Sequence, residues 1–314
     1  MISVCVFAHN EERHIARCLA SLPRAVGDSP LAIRVIANGC SDRTVEIART
    51  TGRDDVVVVD LAVGDKANAW NTYVHDHAPR AAQHVFIDGD CRAEPGAIAA
   101  LVDALAADPG ANAAAAVPCA GRGAKRARAR MQADRALAGN LYALRGEFVE
   151  RVRQRGLRIP VGTVGEDSVV GLFAKIDLES SGRWRDDRVV VSDRAGFAFT
   201  PLRPWSAADL RVLVGRLRRY SLRQIQIQAL RTIWKRDGLQ AWPEDVRDLY
   251  PLILDGRLPF RLKGRDALSA PMAMREMVRV AASRRSGGAA GTGLGTDHGG
   301  KRSAPDLGGA PRRP

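Results

Sequence analysis

The sequence predicts an α/β protein: a mixed, mostly parallel, Rossmann-like sheet flanked by helices, with a helical C-terminal extension. Three observations predict it. Through residue 118, short β-branched runs alternate with helical patterns. The strand candidates are almost continuously apolar, as strands covered on both faces are. Polar clusters follow several of these strands, where open α/β sheets bind their ligands.

Taken in order, ISVCVFA, LAIRVIA, DVVVVD, HVFID and NAAAAVP read as strands. Between them, EERHIARCLASL, DRTVEIARTT, DKANAWNTYVHDHA and EPGAIAALVDALAAD read as helices. From about Lys125 the pattern becomes arginine-rich and mainly helical, with Gly139-Asn140-Leu141-Tyr142 and Val164-Gly165-Glu166-Asp167-Ser168 standing out. Short strands are expected at 188–192 and 195–200. Residues 206–235 read as a long helix, with Leu210, Leu213, Leu217, Ile225 and Trp234 apolar and arginine on nearly every side. Beyond about Arg284 the chain is Gly, Ala, Ser, Pro and Arg, too few apolar groups to offset chain entropy. The expected division is a catalytic domain over 1–204, a basic helical region over 205–283 and a disordered tail over 284–314.

With 314 residues, 46% of them hydrophobic, the chain has ample material for a core. No stretch approaches the ~18 apolar residues of a membrane span, and MISVCVFAHNEER lacks the basic start and cleavage site of a signal peptide. A cytoplasmic location follows, with peripheral association at the inner membrane face as an option. Cys5, Cys18, Cys40, Cys91 and Cys119 show no CxxC spacing and are odd in number, which fits neither a disulfide framework nor a zinc site. A formal charge of +13 favours polyanionic partners: nucleic acid, anionic lipid or nucleotide diphosphates. Nucleic acid ranks last, because only 5% of residues are aromatic and base stacking needs aromatics among the basic side chains.

Asp88-Gly89-Asp90 closes the strand HVFID. Two acids separated by one glycine can share a hard divalent cation that bridges diphosphate oxygens, while the plainer reading is an Asp-Gly turn. Glu166-Asp167 precedes an apolar helical run. Its plain role is to favour the positive end of that helix, and its chemical role is that of a general base. Asn38-Gly39-Cys40-Ser41-Asp42 has a turn glycine and a cap for the next helix. Lys66 and Asn71 lie on a short helix starting at Asp65, either as solvated surface or in contact with base or phosphate.

In order, FAHNEE, NGCSDRT, DKANAWN, FIDGDC and GEDS resemble the signatures of inverting family-two glycosyltransferases of the GT-A fold, over roughly residues 2–175. The resemblance implies Asp88 and Asp90 as the metal and diphosphate motif, with Mn or Mg as the divalent cation. It implies Asp167, beside Glu166, as the catalytic base. Lys66 and the first two loops, with Ala8, His9, Asn10, Glu11, Asn38 and Asp42, become nucleotide contacts, joined by Asn71. Arg216-Leu217-Arg218-Arg219-Tyr220 resembles a degenerate (Q/R)xxRW element and offers Arg219 to the diphosphate. The chain departs from the family where an acidic pair is often found, at Ala37 and Asn38, so the donor nucleotide is open, with a UDP-sugar the favoured choice.

The expected reaction is a single displacement with inversion, in which Asp167 removes the proton of an acceptor hydroxyl on a glycan or lipid-linked acceptor. The competing classes are a sugar nucleotidyltransferase, which would carry a Gly-rich basic loop where AHNEERH stands, and a noncatalytic nucleic-acid-binding protein. The basic helix at 206–235 admits two placements: on an anionic membrane surface, or packed against the catalytic domain.

Overall fold

The computed structural model describes residues 1–121, 123–180, 183–199 and 207–289. Strand β1 (Ile2–Ala8) is buried at all seven positions because it runs between two parallel neighbours, β3 (Ser29–Asn38) and β5 (Gln83–Asp88). Its alternate side chains feed opposite faces of the sheet: Cys5 and Phe7 enter one core, Val4, Val6 and Ala8 the other. That two-sided burial is why the strand reads as an unbroken apolar run. The short β2 (Ala25–Val26) pairs antiparallel with the start of β3, and β4 (Val56–Leu61) lies parallel along it.

Beyond β5 the parallel register ends. Strand β8 (Leu141–Arg145) is antiparallel both to β5 and to β7 (Ala113–Pro118). Then β9 (Val189–Phe199) runs parallel to β7, and β6 (Cys91–Ala93) antiparallel to β9. The sheet is therefore parallel in its first half and mixed in its second. The expected strands at 188–192 and 195–200 are one strand, β9, whose register against β7 shifts between Ala115 and Val117.

One face is covered by α1 (Ile15–Ala20), α2 (Thr44–Arg49) and α4 (Ala97–Ala107), the other by α3 (Lys66–Thr72), α6 (Gly146–Gln154) and α7 (Glu166–Ile176). An exposed basic helix, α5 (Ala124–Asp134), has no buried residue and lies in the β7–β8 connection.

The long C-terminal helix α8 (Ala207–Asp237) matches the expected 206–235, except that residue 206 lies outside the described residues. Leu222, Ile225, Leu230, Ile233 and Trp234 of α8 belong to the same core as Phe86 and Tyr142 of the sheet. From Leu222 onward this helix is thus packed on the catalytic domain, the second of the two placements. The turns that follow bring Trp242 onto the ring of Phe173 in α7, centroids 5.4 Å apart. Helix α9 (Tyr250–Leu254) and helix α10 (Arg265–Ala289) complete this layer, with Ala273, Met277 and Ala281 in the core. Since α10 extends to Ala289, the tail expected from residue 284 is helical at its start; the rest lies outside the described residues. Among the described residues no helix is long and apolar enough to cross a membrane.

Candidate active site

The carboxyl ends of β1, β3 and β5 bring three loops to one edge. Gly39, just past β3, has φ +63°, and a side chain there would run into the backbone of Gly64. Only glycine allows that contact, which sets the start of α3 beside the end of β3. Asn38 completes the joint: its Oδ1 accepts from the Asp65 amide at 2.8 Å, and its carbonyl accepts from Nδ1 of His9 at 2.6 Å. A carbonyl only accepts, so that His9 nitrogen carries the proton.

The first two loops are laced to each other rather than left open. Asn10, at φ 56°, accepts from Ser41 N at 2.8 Å. Asp42 accepts from Glu12 N at 3.1 Å and from Thr44, whose hydroxyl in turn receives Glu11 N at 2.7 Å. These bonds hold the Asp42 carboxyl below its usual range against a burial that works the other way. Burial pushes the Glu11 carboxyl up despite its 2.8 Å bond with His14. Ala8 is buried inside β1. Asn10 and Asp42 thus build the loops, and Asn38 and His9 stand at their inner ends.

Asp88 ends β5. Its successor Gly89 donates to the carbonyl of Phe7 at 2.7 Å, and a Cβ on Gly89 would lie 3.1 Å from that oxygen and 3.2 Å from the Ala8 side chain. The close approach of β1 thus favours a glycine at the centre of the motif, with Asp88 and Asp90 on either side of it at the strand end. Lys66, the first residue of α3, points into this cluster. Its Nζ lies 2.5 Å from Asp88 Oδ1 and 2.8 Å from Glu166 Oε1, the latter an ion-pair contact without hydrogen-bond alignment.

Burial raises the Asp88 carboxyl to about 7; Lys66 pulls it down while Glu166 and Asp90 push it up. Burial works against the Lys66 ammonium, yet Asp88 and Glu166 outweigh it and hold the group well above its ordinary value. Lys66 is therefore a half-buried cation held by two carboxylates and not the solvated surface residue that its position on a short helix allowed. The thiols of Cys18 and Cys91 are pushed far up, first by burial and then by Asp88 and Asp90, so both are protonated neighbours of the cluster and poor nucleophiles.

Glu166 and Asp167 open α7, and both are buried. The cap residue is Gly165 and no side chain caps the helix, so neither acid serves as its N-cap. Asp167 Oδ2 instead accepts from Gly139 N at 3.0 Å and from Nη2 of Arg223 at 3.1 Å. Gly139 is the hub: a Cβ placed on it would lie 3.4 Å from Lys66 Nζ, Glu166 Oε1 and Asp167 Cγ alike.

Two expected nucleotide contacts stand elsewhere. The Asn71 amide is buried, donating to the Ile159 carbonyl and accepting from the Ile159 amide, each at 2.8 Å. Both ends are spent on backbone, so Asn71 is a structural joint and not a ligand contact. Asn71→Ala is expected to cost about 2 to 4 kcal/mol, since two buried backbone groups lose their partner. Urea unfolding measures that loss, and a donor KM that changes more than the stability would overturn the assignment. Arg219 is exposed on α8. The arginine of that helix that reaches Asp167 is Arg223, one turn further on, a residue the motif match passed over; the i, i+4 spacing from Arg219 was its signal in the sequence.

Metal ligation fits the acid pair in one specific way. Among the described residues no three His, Cys, Asp or Glu side chains are grouped to hold an ion. Asp88 and Asp90 together can supply two oxygen ligands, the protein share of a Mg- or Mn-type site whose remaining positions go to phosphate and water.

A family model described as glycosyl transferase family 2 matches residues 3–166, from the second residue of β1 to the start of α7. Among solved structures, the mannosyltransferase PcManGT from Pyrobaculum calidifontis, in complex with GDP-Man and Mn2+, aligns with a TM-score of 0.58 at 20% identity. The alignment covers 93% of this chain and 76% of that one. Glucosyl-3-phosphoglycerate synthase from Mycobacterium tuberculosis, in complex with Mn2+, UDP-glucose and phosphoglyceric acid, aligns with a TM-score of 0.48 at 23% identity, over 70% of this chain and 79% of that one. No curated protein matches the sequence. The family match covers just over half of the chain and the alignment with PcManGT shows a shared fold, so this protein belongs to glycosyl transferase family 2 and is a glycosyltransferase of the GT-A fold.

Proposed function

We propose that this enzyme transfers a sugar, with inversion, from a nucleotide-diphosphate donor to an acceptor hydroxyl and requires a divalent cation, Mn or Mg. The observation that carries the reading is the pairing of two unlike carboxylate environments across Gly139. On one side Asp88 and Glu166 share Lys66, with Asp90 adding negative charge. On the other, Asp167 is held through one oxygen by a backbone amide and a guanidinium.

The first environment suits cation and diphosphate. Asp88 and Asp90 would hold the cation, which would supply charge to neutralise the departing diphosphate. Lys66 adds a fixed positive charge beside the same oxygens. The second environment suits a base: Asp167 takes the proton of the acceptor hydroxyl as its oxygen bonds to the anomeric carbon and the bond from that carbon to the diphosphate breaks. Attack from the side opposite the leaving group inverts the anomeric centre. Glu166, engaged with Lys66, holds the cation side and is not the base. Ala37 and Asn38 stand where an acidic pair is often found, which leaves the nucleotide to experiment, with UDP- and GDP-sugars the first candidates. PcManGT, bound to GDP-Man and Mn2+ on a shared fold, supports both the donor class and the metal.

The test is a donor-hydrolysis screen over UDP-, GDP-, CDP- and TDP-sugars with manganese or magnesium, run on the natural chain and on Asp90→Ala. Metal-dependent turnover of at least one donor, lost in the variant, is expected. Turnover that survives both chelation and the substitution would remove the metal from the mechanism.

A further inference from the structure

We propose that Arg223, on the C-terminal helix α8, is a positioning residue that fixes which oxygen of Asp167 receives the acceptor proton. The proposal rests on the reading of Asp167 as the base. The donors that reach this carboxylate, Gly139 N and Arg223 Nη2, both go to Oδ2. Among the described residues none reaches Oδ1. A carboxylate bonded twice through one oxygen is fixed in rotation, and the other oxygen is left for the substrate hydroxyl. The proton therefore ends on Oδ1, the acceptor oxygen gains the bond to the anomeric carbon, and the Oδ2 bonds persist throughout.

Arg223 is itself held from three directions. Its Nε donates to Ser168 Oγ at 2.8 Å, so the planar guanidinium spans two consecutive residues of the first turn of α7. Its stem crosses Gly165, which has φ +76°; a Cβ on that residue would lie 2.5 Å from Arg223 Cδ and 2.6 Å from Nε. Glycine is required there by conformation and by space together. On the same face of α8, three residues on, fully buried Gln226 accepts from Val164 N at 2.8 Å and donates to the Gly162 carbonyl at 3.2 Å and to Tyr250 Oη at 2.9 Å. Helix α8 thus clasps the loop that leads into α7 and the base, and the C-terminal helical region becomes part of the active site although the family match stops at Glu166.

The experiment compares Arg223→Gln, Arg223→Lys and Ser168→Ala in the full chain. Two readouts are used: steady-state hydrolysis of UDP-glucose and GDP-mannose with Mn2+, and the orientation of the Asp167 carboxylate in a crystal structure of each variant, which needs no donor. Arg223→Gln is expected to lower kcat roughly 10- to 100-fold, the scale of a misplaced catalytic group, with donor KM nearly unchanged. Its Asp167 carboxylate should be rotated, because one of the two bonds that fix Oδ2 is gone. Arg223→Lys should recover only part of the rate, since an ammonium keeps the charge but not the fork, and Ser168→Ala should lose less rate than Arg223→Gln. A merely structural role would lower melting temperature while leaving kcat and the carboxylate orientation as they are. An Asp167 carboxylate that keeps its orientation in Arg223→Gln, or a kcat within twofold of the natural chain, would overturn the proposal. If Asp167→Asn abolishes turnover while Arg223→Gln does not, only this inference fails; if Asp167→Asn is active, the reading beneath it fails.

Discussion

Asp167→Asn is expected to lower the transfer rate by roughly 10²- to 10⁴-fold, the contribution of a positioned general base, while donor affinity stays as it is. The substitution is nearly isosteric. The amide oxygen can still accept from Gly139 N and Arg223, so the loop and the first turn of α7 have no reason to move. What is lost is the capacity to take a proton. In the proposed mechanism donor binding draws on Asp88, Asp90, Lys66 and the first two loops, none of which bonds to Asp167. Measuring donor affinity by calorimetry alongside single-turnover transfer separates the two effects, and retained turnover would sink the assignment of the base.

Lys66→Met is expected to destabilise the protein by about 2 kcal/mol, less than the ~3–5 kcal/mol of a fully dry ion pair because part of the site stays open to water. The Lys66 side chain is 28% exposed and that of Asp88 24%, while Glu166 is only 4% exposed. Without the ammonium, Asp88, Asp90 and Glu166 face one another uncompensated. Mn2+ should therefore raise the melting temperature of Lys66→Met more than that of the natural chain, since the ion then takes over the charge that Lys66 supplied to these carboxylates. Equal stabilisation of the two proteins would mean that lysine and metal do not share one carboxylate cluster.

The parallel half of the sheet was legible because β1, β3 and β5 are buried on both faces and so leave continuous apolar runs. Strand β8 was not: Leu141–Arg145 is five residues long, and a short apolar run has no period by which to tell strand from helix. Asp88, Asp90 and Asp167 could be picked out by type and order along the chain. Their partners could not, because the contacts that define them are distant: Arg223 reaches Asp167 across 56 residues, and Asn71 is spent on a backbone 88 residues away. Arg219 shows the limit of motif matching on a basic helix, where a one-turn shift exchanges an exposed side chain for one that bonds to Asp167. The membrane placement of 206–235 rested on its arginines, but burial from Leu222 onward gives its apolar residues an inside partner. Membership of the glycosyl transferase family also sets aside the nucleotidyltransferase reading, which drew on the α/β sheet and a metal-binding acid, and that of a noncatalytic nucleic-acid-binding protein, which drew on net charge.

The proposed mechanism sets one base at Asp167 against one cation side at Asp88 and Asp90, a single displacement whose most direct consequence is stereochemical. Donor hydrolysis followed by proton NMR in its first minutes reports the sugar anomer released before it equilibrates, with no need to know the natural acceptor. An α-linked nucleotide-sugar should yield the β-anomer first; release of the α-anomer would contradict the single-base account.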